Sequence, residues 1–422
     1  MPRRADAAVA GRPGVVIAFT NARVIDPASG RDALGSVVVR DRVIESIDGA
    51  IPADARVIDC GERIVAPGLI DAGVFAADAP ACLAGGITRV VLMPDRSPPL
   101  DDPALIEFAQ RIGKPHVWVH PLAAGTQGLA GVELAEIGLC QEAGAVGVAT
   151  GRGAIADAGV MLRLLQYASG FDLVVVTHAE NAALTVGAVA TAGEFATRLG
   201  LPAAPAFAEA IAVARDLRLA AATGARLHIR QVTTAESIDL VRAAKAAGTR
   251  VTCGVTPGHF LLGEQSVSGY RSFARLSPPL RHDDDRRAVL AGIADGTIDV
   301  VASGHDPRTQ EDKRLPFADA APGMVGAETL LALAGTLVRD HDMSWPALLA
   351  TMTSAPAALF GLPGGRLEAG APADLIVFDP GAPWRIDAQT MAAAAGNTPF
   401  DGLPMQGRVT MTVKGGEIAW TL

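Results

Sequence analysis

The sequence predicts a (β/α)8 barrel joined to a small β-sandwich domain built from both ends of the chain. Eight nearly continuous apolar runs in the middle of the chain, most of them followed by a helical stretch, predict the barrel. Both ends read as short strands without a helical period, and that texture predicts the appended domain. At 422 residues, half of them apolar and 19% charged, the chain can bury a large core and fill more than one domain.

From the N-terminus, residues 1–15 carry arginines but no following apolar segment of the kind a secretory leader needs, so a flexible tail is expected. Strand-like runs occupy 16–25, 36–47 and 55–60, with Asn21, Asp26-Pro27 and Gly49 as turns, and should form part of an antiparallel sheet. This first part of the β domain is expected over 16–65, the barrel over 66–365 and the second part over 366–422. Barrel strands should end near Asp71, Met93, Pro121, Thr150, His178, Gln231, Val255 and Gly304, with helices such as 132–143, 159–168, 206–223 and 235–247. Apolar strands alternating with helices indicate a parallel sheet covered on its outer face, and eight units over about 300 residues suit a closed barrel. An open doubly wound sheet is the other reading, but no G-x-G-x-x-G turn follows an early strand. Only 72–87 separate the first two barrel strands, with Pro80 inside, close to the minimum of ~10–12 residues for a crossover. Barrel active sites are made by such loops, so the shortening falls where function resides. At the C-terminus, 373–378 and 408–420 read as strands, the latter pair around a Gly415-Gly416 turn.

Composition excludes several function classes. The net charge of −9 is spread rather than blocked, which argues against nucleic acid or an anionic membrane as partner. No apolar run approaches a membrane span. Cys60, Cys82, Cys140 and Cys253 form no C-x-x-C pair and read as reduced thiols of a cytoplasmic protein. Gly85-Gly86 and Gly364-Gly365 are turn signals without the context of a phosphate loop, and Ser303 lacks a G-x-S-x-G elbow. The run Asp283-Asp284-Asp285 should open a helix, where carboxylates are favoured.

A series of segments carries more specific information: APGLID (66–71), AGGITRVVLMPD (84–95), ELAEIGLCQEAGAV (133–146), THAEN (177–181), RLGLPAAP (198–205), ATGARLHI (222–229), SPPLR (277–281), VGAET (325–329), GAPADLIVFDP (370–380) and NTPF (397–400). In this order and spacing, from about Thr20 to the C-terminus, the chain resembles the long bacterial-type dihydroorotases of the amidohydrolase superfamily. That resemblance implies the same barrel and two-part β domain. It also implies zinc chemistry on a cyclic amide, in which the metal polarises the ring carbonyl and supplies a hydroxide.

The ligands that chemistry requires are mostly replaced. The family's first strand ends in D-x-H-x-H, which here reads Asp71-Ala72-Gly73-Val74-Phe75, so Gly73 and Phe75 take the histidine positions. Thr150 stands near the family's strand-four carboxylate, and no Lys lies close by to be carbamylated. His178 is kept on strand five. The strand-six H-x-x-H appears as His228-Ile229-Arg230-Gln231, putting Gln231 at the metal position, and the T-D-H of strand eight is Ser303-Gly304-His305, putting Gly304 where the catalytic base belongs. The substrate-gripping positions read Ala77, Asp95, Ser277 and Arg308, a vestigial pocket. His259, in Thr256-Pro257-Gly258-His259, keeps half of a T-P-H-H motif.

Within the family the chain is similar to homologues that lack metal ligands and serve as non-catalytic subunits of aspartate carbamoyltransferase assemblies. The resemblance therefore implies no catalytic residue, no cofactor, a homo-oligomer, and the aspartate carbamoyltransferase catalytic chain as partner. The alternative is a divergent cyclic amidohydrolase holding one zinc at His178 with Asp306 or His305. Small-molecule sensing by the vestigial pocket is a third reading. Alternation along a strand turns His228 and His305 away from the old ligand positions, and His116 and His120 on one strand lie ~13 Å apart, too far to share an ion.

Overall fold

The computed structural model describes residues 16–422, and the expected tail over 1–15 lies outside the described residues. Barrel strands run Leu69–Val74, Ile87–Leu92, Trp118–Pro121 continued by Ala123–Ala124, Val148–Ala149, Val174–Thr177, Arg226–Ile229, Val251–Val255 and Val300–Val301. Neighbours pair in parallel. The seam between the eighth and first strands is closed at the top, where Phe75 N donates to the His305 carbonyl at 2.9 Å. The buried Asp71 carboxylate adds to the closure by accepting from the Ser303 amide at 2.8 Å and from the Ser303 hydroxyl.

Alternation sorts the strand residues into two layers. Ile70, Ala72, Val91, Val174, Val176 and Val300 form one cluster inside the barrel, plugged by Phe360. Their neighbours Leu69, Val90, Val175, Leu227 and Val301 pack outward against the helices. The helices start where the sequence provides caps: Asp157 accepts from Val160 N ahead of Ala158–Ser169, and Thr234 from Ser237 N ahead of Ala235–Ala246. The three aspartates over 283–285 open Asp283–Ala294 as expected. The helix expected over 132–143 is shorter, Ile137–Glu142, because its first part is spent on a turn that pairs Leu134 with Thr126. The first crossover helix is only Ala79–Ala84, with a proline in its first turn.

The β domain is one eight-stranded sheet drawn from both ends of the chain. The sheet curls until its edge strand Val43–Ile47 meets residues 370–373, with Ile44 N donating to Ala371 O at 2.9 Å. Phe19, Val24, Val39, Ile44, Val377 and Val413 fill the core between its limbs. Two expectations need correction. The run 36–47 is a hairpin, Arg31–Arg40 and Val43–Ile47, turned at Asp41-Arg42, where both residues have positive φ. The sheet is mixed rather than antiparallel, because Ile17–Asp26 pairs in parallel with both Arg56–Asp59 and Ile64–Pro67.

Domain and barrel meet at a buried ion pair. Arg89 Nη2 on the second barrel strand donates to Asp374 Oδ2 at 2.7 Å, with side-chain exposures of 5% and 3%. Asp374 also accepts from Trp118 Nε1 at 3.1 Å and Gly415 N at 2.7 Å. All four cysteines are buried and free. Among the described residues no helix is long and apolar enough to cross a membrane.

Candidate functional site

The C-terminal ends of the barrel strands bring Gly73, Phe75, Thr150, His178, Gln231 and Gly304 to one mouth, but arginines occupy its centre. Gly73 has φ +91°, and a Cβ placed on it would lie 3.3 Å from Arg230 Cδ. Arg230 thus lays its alkyl chain over the first ligand position. Its Cζ sits 5.1 Å from the Phe75 ring centroid, and Arg152 Cζ stacks on the same ring at 3.6 Å. Burial draws the Arg230 guanidinium down to about 10, while the carboxylates of Asp95, Asp306 and Glu180 oppose that shift, so it stays charged near neutrality.

His178 points inward, as alternation from Val174 and Val176 requires. Arg230 Nη2 donates to its Nδ1 at 3.3 Å, so the ring proton belongs on Nε2, which donates to Glu180 Oε2 at 2.9 Å. Neither ring nitrogen is left to grip an ion. Burial alone would raise the Glu180 carboxyl, but His178 and Arg281 hold it at about 2. Arg281, itself buried, braces Glu180 and Glu209 at 3.2 Å each and bonds Thr233 and Thr191. Retained segments of the sequence thus survive as cross-braces between loops.

Gly304 has φ +63°, and a Cβ there would meet Thr256 Cγ2 at 2.9 Å. Gln231 keeps an unpartnered, buried Oε1 beside it. Thr150 accepts from His178 N at 3.1 Å. Asp306 is taken by two cations: Arg152 grips it with both terminal nitrogens at 2.6 and 2.9 Å, and Arg308 Nη2 donates at 2.8 Å.

The four vestigial-pocket positions are dispersed. Ser277 lines the mouth. Asp95 stands behind it, accepting from Arg152 N at 2.7 Å. Ala77 packs against the outer core, and Arg308 faces a separate cleft. His305 turns away as expected, with Nε2 3.4 Å from Asp78 and Nδ1 accepting from Gly326 and Ala327 amides. The expectation for His228 needs correction. It points into the barrel, edge-on to Phe360 at 6.3 Å, one layer beneath Arg230 two residues on. His120 is absorbed at the domain junction, 3.3 Å from Arg89. His259 lines the mouth between Thr256 Oγ1 and the Pro278 carbonyl, and burial holds it down at about 4.

Sequence reasoning missed Arg152 and Arg230, two of the three arginines that line the mouth. The available signal was an arginine just past the ends of strands four and six, directly beside ligand positions. What remains open is a cavity of about 60 Å³ between Phe75, Arg230 and Gly304, and a neighbouring one of about 290 Å³ reached by His178, Glu180 and Arg275. Ligand pockets usually span about 300–1,000 Å³. A pair of zinc ions needs imidazole and carboxylate donors with free lone pairs. Glycine, phenylalanine, threonine and glutamine fill those positions, fixed guanidiniums lie between them, and the residues do not fit the metal. Among the described residues, no three His, Cys, Asp or Glu gather to hold one.

The profile of the Amidohydrolase family matches residues 75–419. A protein named dihydroorotase from Syntrophotalea carbinolica is 40% identical over 96% of this chain and 99% of its own length. A namesake from Pelotomaculum thermopropionicum is 40% identical over 94% of this chain and 96% of its own. Among solved structures, L-hydantoinase (dihydropyrimidinase) from Arthrobacter aurescens superposes with a TM-score of 0.85 at 24% identity, covering 95% of each chain. Dihydropyrimidinase from Brevibacillus agri gives 0.82 at 19%, over 96% of this chain and 95% of that one, and both likenesses speak to the fold. The barrel with its curled β domain, the order of the segments around the mouth and the identity over nearly the whole chain agree: this chain belongs to the amidohydrolase family, in its dihydroorotase-like branch.

Proposed function

We propose that the protein is a dihydroorotase-like pseudoenzyme of pyrimidine biosynthesis. In this reading it is a cytoplasmic homo-oligomer that acts as a non-catalytic structural subunit associated with the aspartate carbamoyltransferase catalytic chain. The observation that carries the reading is Arg230. Its side chain lies against Gly73 and Phe75 and its guanidinium meets His178, so a fixed organic cation occupies the space between the former ligand positions. A guanidinium can balance the surrounding carboxylates, but it generates no hydroxide near neutral pH. The shortened first crossover and the small cavity of about 60 Å³ left between Phe75, Arg230 and Gly304 also support a scaffold. The test is co-purification of the two full-length chains, with metal analysis and a dihydroorotate turnover assay on the complex. A stable complex without zinc-dependent turnover is expected. Chains that never associate when both are concentrated would remove the partner role.

A second reading, a divergent hydrolase of cyclic amide C–N bonds, draws on the 40% identity to proteins named dihydroorotase and on the cavity beside His178. It requires His178 to leave Glu180 and Arg230 and join Asp306 around an altered zinc site. Stoichiometric zinc, with turnover abolished by His178→Ala, would establish this reading and end the first.

A further inference from the structure

Beyond the mouth lies a cleft of about 540 Å³, formed by residues 270–273, residues 308–310 and 313–314 in and ahead of the helix Gln310–Arg314, and the C-terminal segment at 388–389, 396–397 and 401. Four cations line it, Arg271, Arg308, Lys313 and Arg314, against one carboxylate, Asp401. That carboxylate is turned to the backbone, accepting from Ala388 N at 2.9 Å. In a chain of net charge −9 such a concentration of positive charge is unusual. We propose that this cleft binds a small phosphate-bearing anion.

Donor bookkeeping carries the inference, because an arginine offers five N–H groups and a lysine three. Arg314 makes no side-chain hydrogen bond among the described residues. Arg271 spends one donor, on the Pro399 carbonyl at 2.8 Å. Arg308 uses Nε on the Pro322 carbonyl and Nη2 on Asp306, leaving Nη1. Lys313 is only 3% exposed, yet only backbone carbonyls hold its ammonium, Ser272 at 3.1 Å and Ala321 at 2.8 Å, so one N–H remains. A buried ammonium near other cations and lacking its own carboxylate is costly, and burial already pulls Lys313 down to about 8. An anion among the four would offset that cost, and guanidinium forks match phosphate oxygens. The cleft's volume falls in the range of small-molecule pockets, and Tyr270 and Phe273 supply an aromatic wall. A nucleic acid is disfavoured because the chain as a whole carries a net charge of −9.

The site is independent of the mouth's proposed loss of catalysis and is read by binding alone. Isothermal titration of the full-length protein with pyrophosphate at low salt should give one saturable site with a Kd below about 1 mM. Arg271→Gln and Arg314→Gln change exposed side chains, so both should fold normally, and each should weaken pyrophosphate by about fivefold or more. Three results would overturn the site: no saturable pyrophosphate binding at concentrations of about 10 mM, an unchanged Kd in the double variant with its melting temperature intact, or citrate binding as tightly as pyrophosphate.

Discussion

Two buried arginine–carboxylate groups can be compared, one at the domain junction and one at the barrel mouth. At the junction, Asp374 is saturated by Arg89, Trp118 and Gly415, almost no solvent reaches the pair, and Arg89 Nε alone lacks a partner. At the mouth, Asp306 is equally well gripped, but Arg152 is 36% exposed, and Arg230 Nε, Gln231 Oε1 and Asp95 Oδ2 have no partner. The chemistry is the same, but the surroundings differ. A carboxylate bonded on every side holds two pieces of structure in place. The mouth, with three orphaned atoms and a partly exposed arginine, is the looser packing, which suits the proposed reading of arginines filling a former site.

The strongest test of that contrast is Asp374→Ala, which leaves Arg89 charged and buried. It should lower stability in urea by about 3–5 kcal/mol, the usual consequence of orphaning one member of a buried pair. A loss below about 1 kcal/mol would make the junction no different from an exposed ion pair.

Acid offers the next test, because each region contains a histidine that burial keeps neutral. His259 at the mouth and His120 at the junction are each held down at about 4, the latter with help from Arg89. An unfolded histidine titrates near ~6.5. As pH falls from there towards 4, the unfolded chain therefore takes up protons that the folded chain refuses, and stability drops. Above that window these groups contribute no slope. The drop should be about 3 kcal/mol for each imidazole. His259→Asn should flatten the stability curve below pH 6.5, and an unchanged slope would refute the assignment.

A smaller loss is expected at the mouth for Gly304→Asp, which restores the family's residue. Left-handed backbone and the Thr256 contact should cost about 1–3 kcal/mol, with no gain in zinc measured by metal analysis. Tight zinc binding in that variant would mean the mouth is still a metal centre. Smallest of all, Arg152→Gln should cost about 1 kcal/mol or less by urea titration, since solvent screens its pair with Asp306.

The fold was legible because its signals are periodic. Alternation placed Val174, Val176 and His178 on one face, and apolar runs marked the strands. The hairpin at Asp41-Arg42 was hidden because neither residue is glycine or asparagine, although both take positive φ. At the site, the sequence indicated where residues differ from the family motifs but not what fills the space between them. Arg152 and Arg230 read as ordinary loop arginines, and only folding shows that both reach the Phe75 ring. The reach of a long side chain is decided by tertiary packing, and no residue spacing encodes it. His228 was misjudged for a related reason: the chain leaves the strand after Ile229, so Gln231 no longer follows its alternation.

On the proposed reading of the mouth as metal-free, Gly73 and Gly304 have a practical consequence for anyone placing a metal there. Both sit in backbone shapes that L-amino acids resist, and the space above one is taken by an arginine. Placing the family's histidine and aspartate there letter by letter would insert side chains into loops whose backbone does not aim them. Such a design would have to begin with new main-chain geometry for the first and eighth loops and the removal of Arg230, so it calls for several simultaneous changes rather than a ladder of single ones.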